Sequence, residues 1–350
     1  MTVQIDPTKW KIKLPIFPPS EVLDNSQLTE YARCPRRGLY RYGMRRAFGG
    51  KSWSIQFGLA YHKYRETVEV LMVEEESDLT NEIHVKGIGA ATEGWEDPPV
   101  EHKFGYLNLN RLMKTLVKAK ARIINEKRDG KIVVTRTEDS FDLELPFLYC
   151  EDCGYTTLDL KSTSCSQCRV LKETIKLKRA RVGGRVDQFI TFVSLNNARM
   201  IRDFKSTSRM GPTYSLKFDP NSQFQGYTWS GEELSGQEFD GALIETVYNT
   251  KNEGPEIFQH YVQFSRGQQQ SWLASVMIEN QLIRSMWARV DELGYLAFPQ
   301  RTNACGDFGG CGYREACLAS SGWEIEQWME NYTMYSHWDF ANPDGEESKT

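Results

Sequence analysis

No run of eighteen apolar residues occurs in this sequence, and no charged-then-apolar leader opens it. Neither a membrane-spanning helix nor a signal peptide is therefore expected, and the chain reads as cytosolic. No segment recurs at a fixed period, so a solenoid or propeller is not expected. Positive charge is not in excess either. Against 43 Lys and Arg stand 47 Asp and Glu, a net charge of -4, which argues against indiscriminate coating of nucleic acid. What is present is ample apolar material, 40% hydrophobic and 12% aromatic over 350 residues, enough for one large packed domain or two.

The balanced charge hides local asymmetry. Arg33, Arg36, Arg37, Arg41, Arg45 and Arg46 form one basic cluster; Lys172, Lys176, Lys178, Arg179, Arg181 and Arg185 form a second. The tail is acidic through Glu324, Glu326, Glu330, Asp339, Asp344, Glu346 and Glu347. A charge run usually marks a solvated face, but next to a metal site a basic run also suits a phosphate track. Tyr31, Tyr40, Tyr42 and Phe48 alternate with the first cluster, a pattern that either packs a core around Cys34 or stacks single-stranded bases.

Residues 1–25 are Pro-rich and aperiodic, which suggests a surface arm. Ser26 is expected to cap a helix that Pro35 interrupts. From Ile55 to about Glu75, apolar residues recur at helical spacing around His62. Ser77 to Gly105 reads as loop and Leu107 to Lys127 as helix. Strands are expected at Phe141 to Tyr149, Val170 to Lys178, Arg185 to Val193, Ala198 to Phe204, Ala242 to Tyr248 and Ile257 to Phe264. Helices are expected from Ser222 to Glu232 and from Gln268 to Glu292. This order indicates an α/β core flanked by helices. His84, His102, His260 and His337 have no partnered motif and are read as structural.

Eight cysteines in a cytosolic chain favour metal binding over disulfides. Cys150-x2-Cys153 and Cys165-x2-Cys168 make two thiolate knuckles of the zinc-ribbon type, inserted over residues 150–168 at a hairpin tip. So small a module has little core, and Zn2+ would supply its folding energy. Cys34 with Cys305, Cys311 and Cys317 forms a second set, whose spacing leaves an iron-sulfur cluster or zinc open. Either would clasp the N-terminal segment to the C-terminal one.

Asp187, in Gly184-Arg185-Val186-Asp187, precedes Asp203-Phe204-Lys205-Ser206 on the next expected strand. Residues two apart on a strand share a face, so two acids and a lysine can converge there to hold a divalent metal beside a phosphate. A strand-end salt bridge between Asp203 and Lys205 is the plainer alternative. Glu66, one helical turn after His62, could orient that imidazole or face solvent.

With these motifs placed, the chain resembles the RecB-like exonuclease branch of the PD-(D/E)xK nuclease superfamily, iron-sulfur type, similar to CRISPR-adaptation and AddB-type nucleases. The resemblance rests on Cys34-Pro35-Arg36-Arg37, His62, Gly184 to Asp187, Asp203 to Ser206, Gln223-x3-Tyr227 and the closing cysteines, spanning residues 34 to 317. It implies a restriction-endonuclease-like sheet flanked by helices: a nuclease domain over 26–320, the ribbon insertion, and an acidic tail over 321–350. It implies that His62, Asp187, Asp203 and the Phe204 carbonyl bind Mg2+ or Mn2+, that Lys205 acts on the water and phosphate, and that Gln223 and Tyr227 shape the site. A structural 4Fe-4S cluster would sit on Cys34, Cys305, Cys311 and Cys317. The expected function is an exonuclease on single-stranded DNA or DNA ends, in repair, recombination or phage DNA processing. Partners would be DNA and a helicase, recombinase or CRISPR-type protein, with no membrane, in a nucleoid or a phage-infected host cytoplasm. The alternative is a DNA-end-binding subunit that uses the nuclease fold mainly as a platform.

Overall fold

A computed structural model describes residues 6–47, 52–75, 77–168 and 177–334. Phe48, Lys172, Lys176, His337, most of the strand expected from Val170, and the tail residues Asp339, Asp344, Glu346 and Glu347 lie outside them. The chain divides into two compact units. One comprises Met1–Gly49, Phe141–Gly184 and Gln270–Thr350, and the other Gly50–Ser140 and Arg185–Gln269.

The second unit is built on a mixed sheet. From Arg185 the strand Leu177–Phe192 runs antiparallel to Ala198–Thr207, with Gln188 opposite Arg202 and Phe192 opposite Ala198. The link between them holds Asn196 and Asn197 at φ 57° and 58°, a left-handed conformation that asparagine tolerates better than most residues. Ala198–Thr207 then pairs in parallel with Gly241–Tyr248, Phe204 opposite Glu245 and Lys205 opposite Thr246. Parallel neighbours require a crossover. Helix Ser222–Ser235 supplies it, capped by Asn221, which accepts from the Gln223 and Phe224 amides, and ended by Gly236 at φ 66°. The antiparallel strand Glu256–Gln263 completes this part of the sheet.

Alternation along Ala198–Thr207 sends Arg202 and Phe204 to one face and Asp203 and Lys205 to the other. On the Phe204 face, helices Trp53–Glu74, Asn81–Thr92 and Leu109–Arg128 pack Phe57, Tyr61, Val68, Ile83, Leu112 and Leu116 against Phe204 and Val247. Helix Asn81–Thr92 lies where the sequence suggested a loop. Its glycines weaken the helical signal, yet Gly87 is there for packing: a Cβ would come within 2.5 Å of Val68. Thr80 caps it by accepting from the Ile83 amide.

In the first unit, helix Asn25–Arg33 is capped by Asp24, which accepts from the Gln27 amide, rather than by the expected Ser26. Residues Val22–Asp24 pair in parallel with Arg181–Gly183, so the end of the Pro-rich arm is a strand. The arm is further held by Arg284, which donates to the Pro19 and Ser20 carbonyls, and by Glu326, which accepts from the Leu14 amide. Strand Ile132–Cys150 is longer than expected and begins in the second unit. Helix Arg266–Trp287 runs into the first unit and stops before the short helix Val290–Leu293, where one continuous helix was expected.

Candidate metal centre

All the residues expected to form the nuclease site lie in the second unit. The last antiparallel pair is Gln188 with Arg202, which leaves Asp187 and Asp203 on the next rung. Helix Trp53–Glu74 presents His62, whose Nε2 lies 3.4 Å from Asp187 Oδ1. Asp187 Oδ2 accepts from the Phe204 amide at 2.8 Å, fixing the carboxylate against the neighbouring strand.

Asp203 faces the lysine: Lys205 Nζ lies 3.0 Å from Oδ1 and 2.8 Å from Oδ2. Gln223 Nε2 donates to Asp203 Oδ1 at 3.3 Å and to the Tyr227 hydroxyl at 3.2 Å, so helix Ser222–Ser235 contributes both of its expected residues. The strand-end salt bridge is thus real, and it belongs to the site.

Glu138 was not foreseen. Its Oε1 lies 3.1 Å from His62 Nε2, and His62, Glu138 and Asp187 are the non-cysteine trio, among the described residues, whose ligand atoms all fall within 4.8 Å of one another. The sequence offered little sign of it, because Glu138 sits in the polar stretch Arg136 to Ser140, before the expected start of its strand. Its φ of 52° is left-handed, unusual for glutamate inside a strand. Arg185 bridges Glu138 and Glu66, at 2.5 and 3.2 Å. Glu66 thus pairs with Arg185, which also holds Glu138, instead of orienting His62 directly.

The donor set fits a hard divalent cation. Bonds of about 2.1 Å in octahedral geometry place neighbouring ligands about 3 Å apart, close to the His62 separations. Electrostatics agree. Burial opposes protonation of His62, but Asp187 and Glu138 prevail and raise its pKa to about 9. Burial pushes Asp203 up to about 6, against the pull of Lys205 and with help from Asp187. Burial raises Asp187 as well, opposed by His62. Carboxylates crowded in this way favour positive charge beside them, from a proton or a cation.

Phe204, between Asp203 and Lys205, is held by a buried ionic network on the opposite face. The Arg65 and Arg202 guanidinium groups lie 4.8 and 5.4 Å from its ring centroid. Arg65 pairs with Glu245 at 3.0 Å and Glu69 at 2.7 Å. Arg202 pairs with Glu126 at 3.0 Å and with Glu245, and Tyr61 donates to Glu245 at 2.5 Å. Arg65, Arg202 and Glu245 are each 0% exposed, and burial notwithstanding, the two guanidinium groups lower the Glu245 pKa to about 2.

The expected basic track is otherwise committed. Lys178 pairs with Glu21 and Glu151, Arg179 with Glu144, and Arg181 with Asp142. In the first cluster Arg36 is buried and donates to the Phe298 carbonyl, Arg37 pairs with Glu30, and Arg45 stacks on Phe17. Tyr31 and Tyr40 are buried, so they pack the core near Cys34. His84, His102 and His260 stay out of the site: His84 bonds Tyr64, His102 accepts from the Phe104 amide, and His260 packs on Tyr214 and Phe218.

In the first unit Cys150 and Cys168 sulfurs lie 3.9 Å apart and Cys153 and Cys165 sulfurs 3.6 Å, all four within 4.8 Å of one another. A tetrahedral ion with bonds of about 2.3 Å to sulfur sets an edge of about 3.8 Å. Gly154 at φ 77° makes the first knuckle possible, donating to the Cys150 carbonyl; a Cβ there would meet the Ser285 amide at 2.4 Å. In the second set burial raises Cys311, with Arg37 opposing and Cys305 and Cys34 adding, and raises Cys317 to about 11, with Arg36 opposing and Cys34 and Cys311 adding. These thiols feel one another's charge, but among the described residues no three of them bring their sulfurs within 4.8 Å of one another as the first set does.

A mixed sheet flanked by helices, with an acid, an Asp-x-Lys and a histidine gathered at its strands, is the core of a metal-dependent nuclease. The family profile described as the PD-(D/E)XK nuclease superfamily matches residues 25–318, and the chain belongs to that superfamily. No curated protein matches the sequence. Among solved structures it is similar to a candidate exonuclease from Eubacterium rectale, 13% identical with a TM-score of 0.45, covering 82% of this chain and 86% of that one. It is also similar to the protein SSO0001, 10% identical with a TM-score of 0.28, covering 79% and 84%. No helix among the described residues is long and apolar enough to cross a membrane.

Proposed function

We propose that this nuclease is a Mg2+- or Mn2+-dependent deoxyribonuclease acting as an exonuclease on single-stranded DNA or DNA ends. The observation that carries it is the meeting of His62, Glu138 and Asp187 beside the Asp203–Lys205 pair. His62, Asp187, Asp203 and the Phe204 carbonyl hold the metal, with Glu138 at the same position. When bound, the cation lowers the pKa of its water and polarises the phosphoryl group. Lys205, steered by Asp203, places a positive charge where negative charge develops on the phosphate. Water adds to phosphorus, the P–O ester bond breaks, and the departing oxygen takes a proton. The preference for ends rests on the likeness to RecB-like exonucleases.

Zn2+ on Cys150, Cys153, Cys165 and Cys168 is supported by the sulfur spacing. A 4Fe-4S cluster on Cys34, Cys305, Cys311 and Cys317 rests on the likeness to iron-sulfur RecB-like nucleases and on the sequence spacing of those cysteines. Both are assigned structural roles. The test is incubation of end-labelled single- and double-stranded DNA with Mn2+. Wild type is expected to shorten strands from an end, and Lys205→Ala to lose on the order of 100-fold or more in rate. Equal, absent cleavage by both proteins overturns the enzyme reading.

A further inference from the structure

The acidic rung needs cations for a phosphate chain to approach, and the basic stretch leading to Asp187 is already bound to carboxylates. One lysine beside the site is not. Lys217 lies in the turn Ser215–Phe218, and among the described residues no carboxylate lies within ion-pair distance of it. Its Nζ sits 3.7 Å from the Tyr214 ring centroid and 4.9 Å from that of Phe218.

The register shows which face this is. Lys205 lies opposite Thr246 on the neighbouring parallel strand, so their side chains share a face. The Thr246 hydroxyl lies 3.5 Å from the Tyr214 hydroxyl, and the Tyr214 ring carries Lys217. A second route agrees: Lys205 Nζ is 5.7 Å from the Phe224 ring, Phe224 packs on Phe218 at 5.7 Å, and Phe218 touches Lys217. The two ammonium groups thus flank one aromatic wall of Tyr214, Phe218 and Phe224.

We infer that Lys217 is a phosphate-binding subsite, holding a DNA phosphodiester next to the one at Lys205. This rests on the nuclease reading of the Asp187–Asp203 site. Burial and the Lys205 charge both lower the Lys217 pKa, as expected of cations that share a face. A bridging polyanion relieves that repulsion. Stacking on Tyr214 fixes the direction of the amine, so the subsite is positioned and not a loose surface charge.

The test compares wild type, Lys217→Met and Lys217→Arg, binding a fluorescein-labelled 20-nucleotide single strand in Ca2+ over a salt series. Removing one phosphate contact is expected to make the slope of log K against log salt shallower by about 0.7. Lys217→Met should bind several-fold more weakly, and Lys217→Arg should restore both affinity and slope. In Mn2+, KM for DNA is expected to rise in Lys217→Met with kcat within about twofold of wild type, the mark of uniform binding. Unchanged affinity and slope in Lys217→Met, or no binding by wild type, overturns the subsite. If the slope changes while wild type cuts nothing, the subsite stands and the nuclease reading fails.

Discussion

At the scale of the residue, the metal-ligand role proposed for His62 sets a pH dependence. A metal ligand must offer a lone pair, yet the surrounding carboxylates raise this imidazole to about 9, so at pH 7 it carries a proton. Binding must displace that proton. Apparent Mn2+ affinity is therefore expected to rise with pH, by at most about tenfold per unit for one proton, until pH passes the His62 pKa. Below about 6 Asp203 also binds a proton and weakens affinity further. Calorimetry in two buffers of different ionisation enthalpy should detect close to one proton released per ion at pH 7.5. His62→Ala should abolish most of that release; an unchanged value would remove His62 from the ligand set. Asp187, Asp203 and Lys205 were legible in the sequence because motif spacing survives folding. Glu138 was not, because its place depends on a backbone conformation, φ 52°, that residue type does not signal.

At the scale of the element, the long helix around His62, the strands from Ala198 and Gly241, and helix Ser222–Ser235 were all readable from period and caps. Helix Asn81–Thr92 was missed, since Gly87 serves a contact with Val68 that has no counterpart in propensity. The ionic network around Phe204 was equally invisible: Arg65, Glu69, Glu126, Arg202 and Glu245 look like ordinary surface charges in a helix or strand pattern. A buried ion pair is a poor source of stability compared with apolar packing, but losing one partner strands the other. Glu245→Gln is expected to destabilise the protein by about 3–5 kcal/mol in urea unfolding. It should also speed amide hydrogen exchange at Phe204, whose N–H meets Asp187. Exchange no faster than in wild type would show that the network does not hold the motif.

At the scale of the whole molecule, the two cysteine sets were separable by spacing alone and both lie in the first unit, but among the described residues only Cys150, Cys153, Cys165 and Cys168 bring their sulfurs within 4.8 Å of one another. The overall charge of -4 was also informative, more so than its local runs. The basic stretch Lys178 to Arg185 seemed to promise a track for phosphates. Its described members are instead paired with Glu21, Glu151, Glu144, Asp142, Glu138 and Glu66, partners drawn from distant parts of the sequence that no linear reading brings together.

That pairing has a kinetic meaning. Counterion release from DNA is what lets proteins slide along it, and charges already neutralised by carboxylates release few counterions. With little sequence-independent grip, each encounter should end soon after a cut, and the strand should drift away before the next. The enzyme alone is expected to be distributive. A trap of excess unlabelled DNA added after the reaction starts should stop shortening of labelled strands almost at once, whereas continued shortening would reveal a grip supplied by other residues. If the proposed action on ends holds, something else is expected to keep bringing the nuclease its substrate.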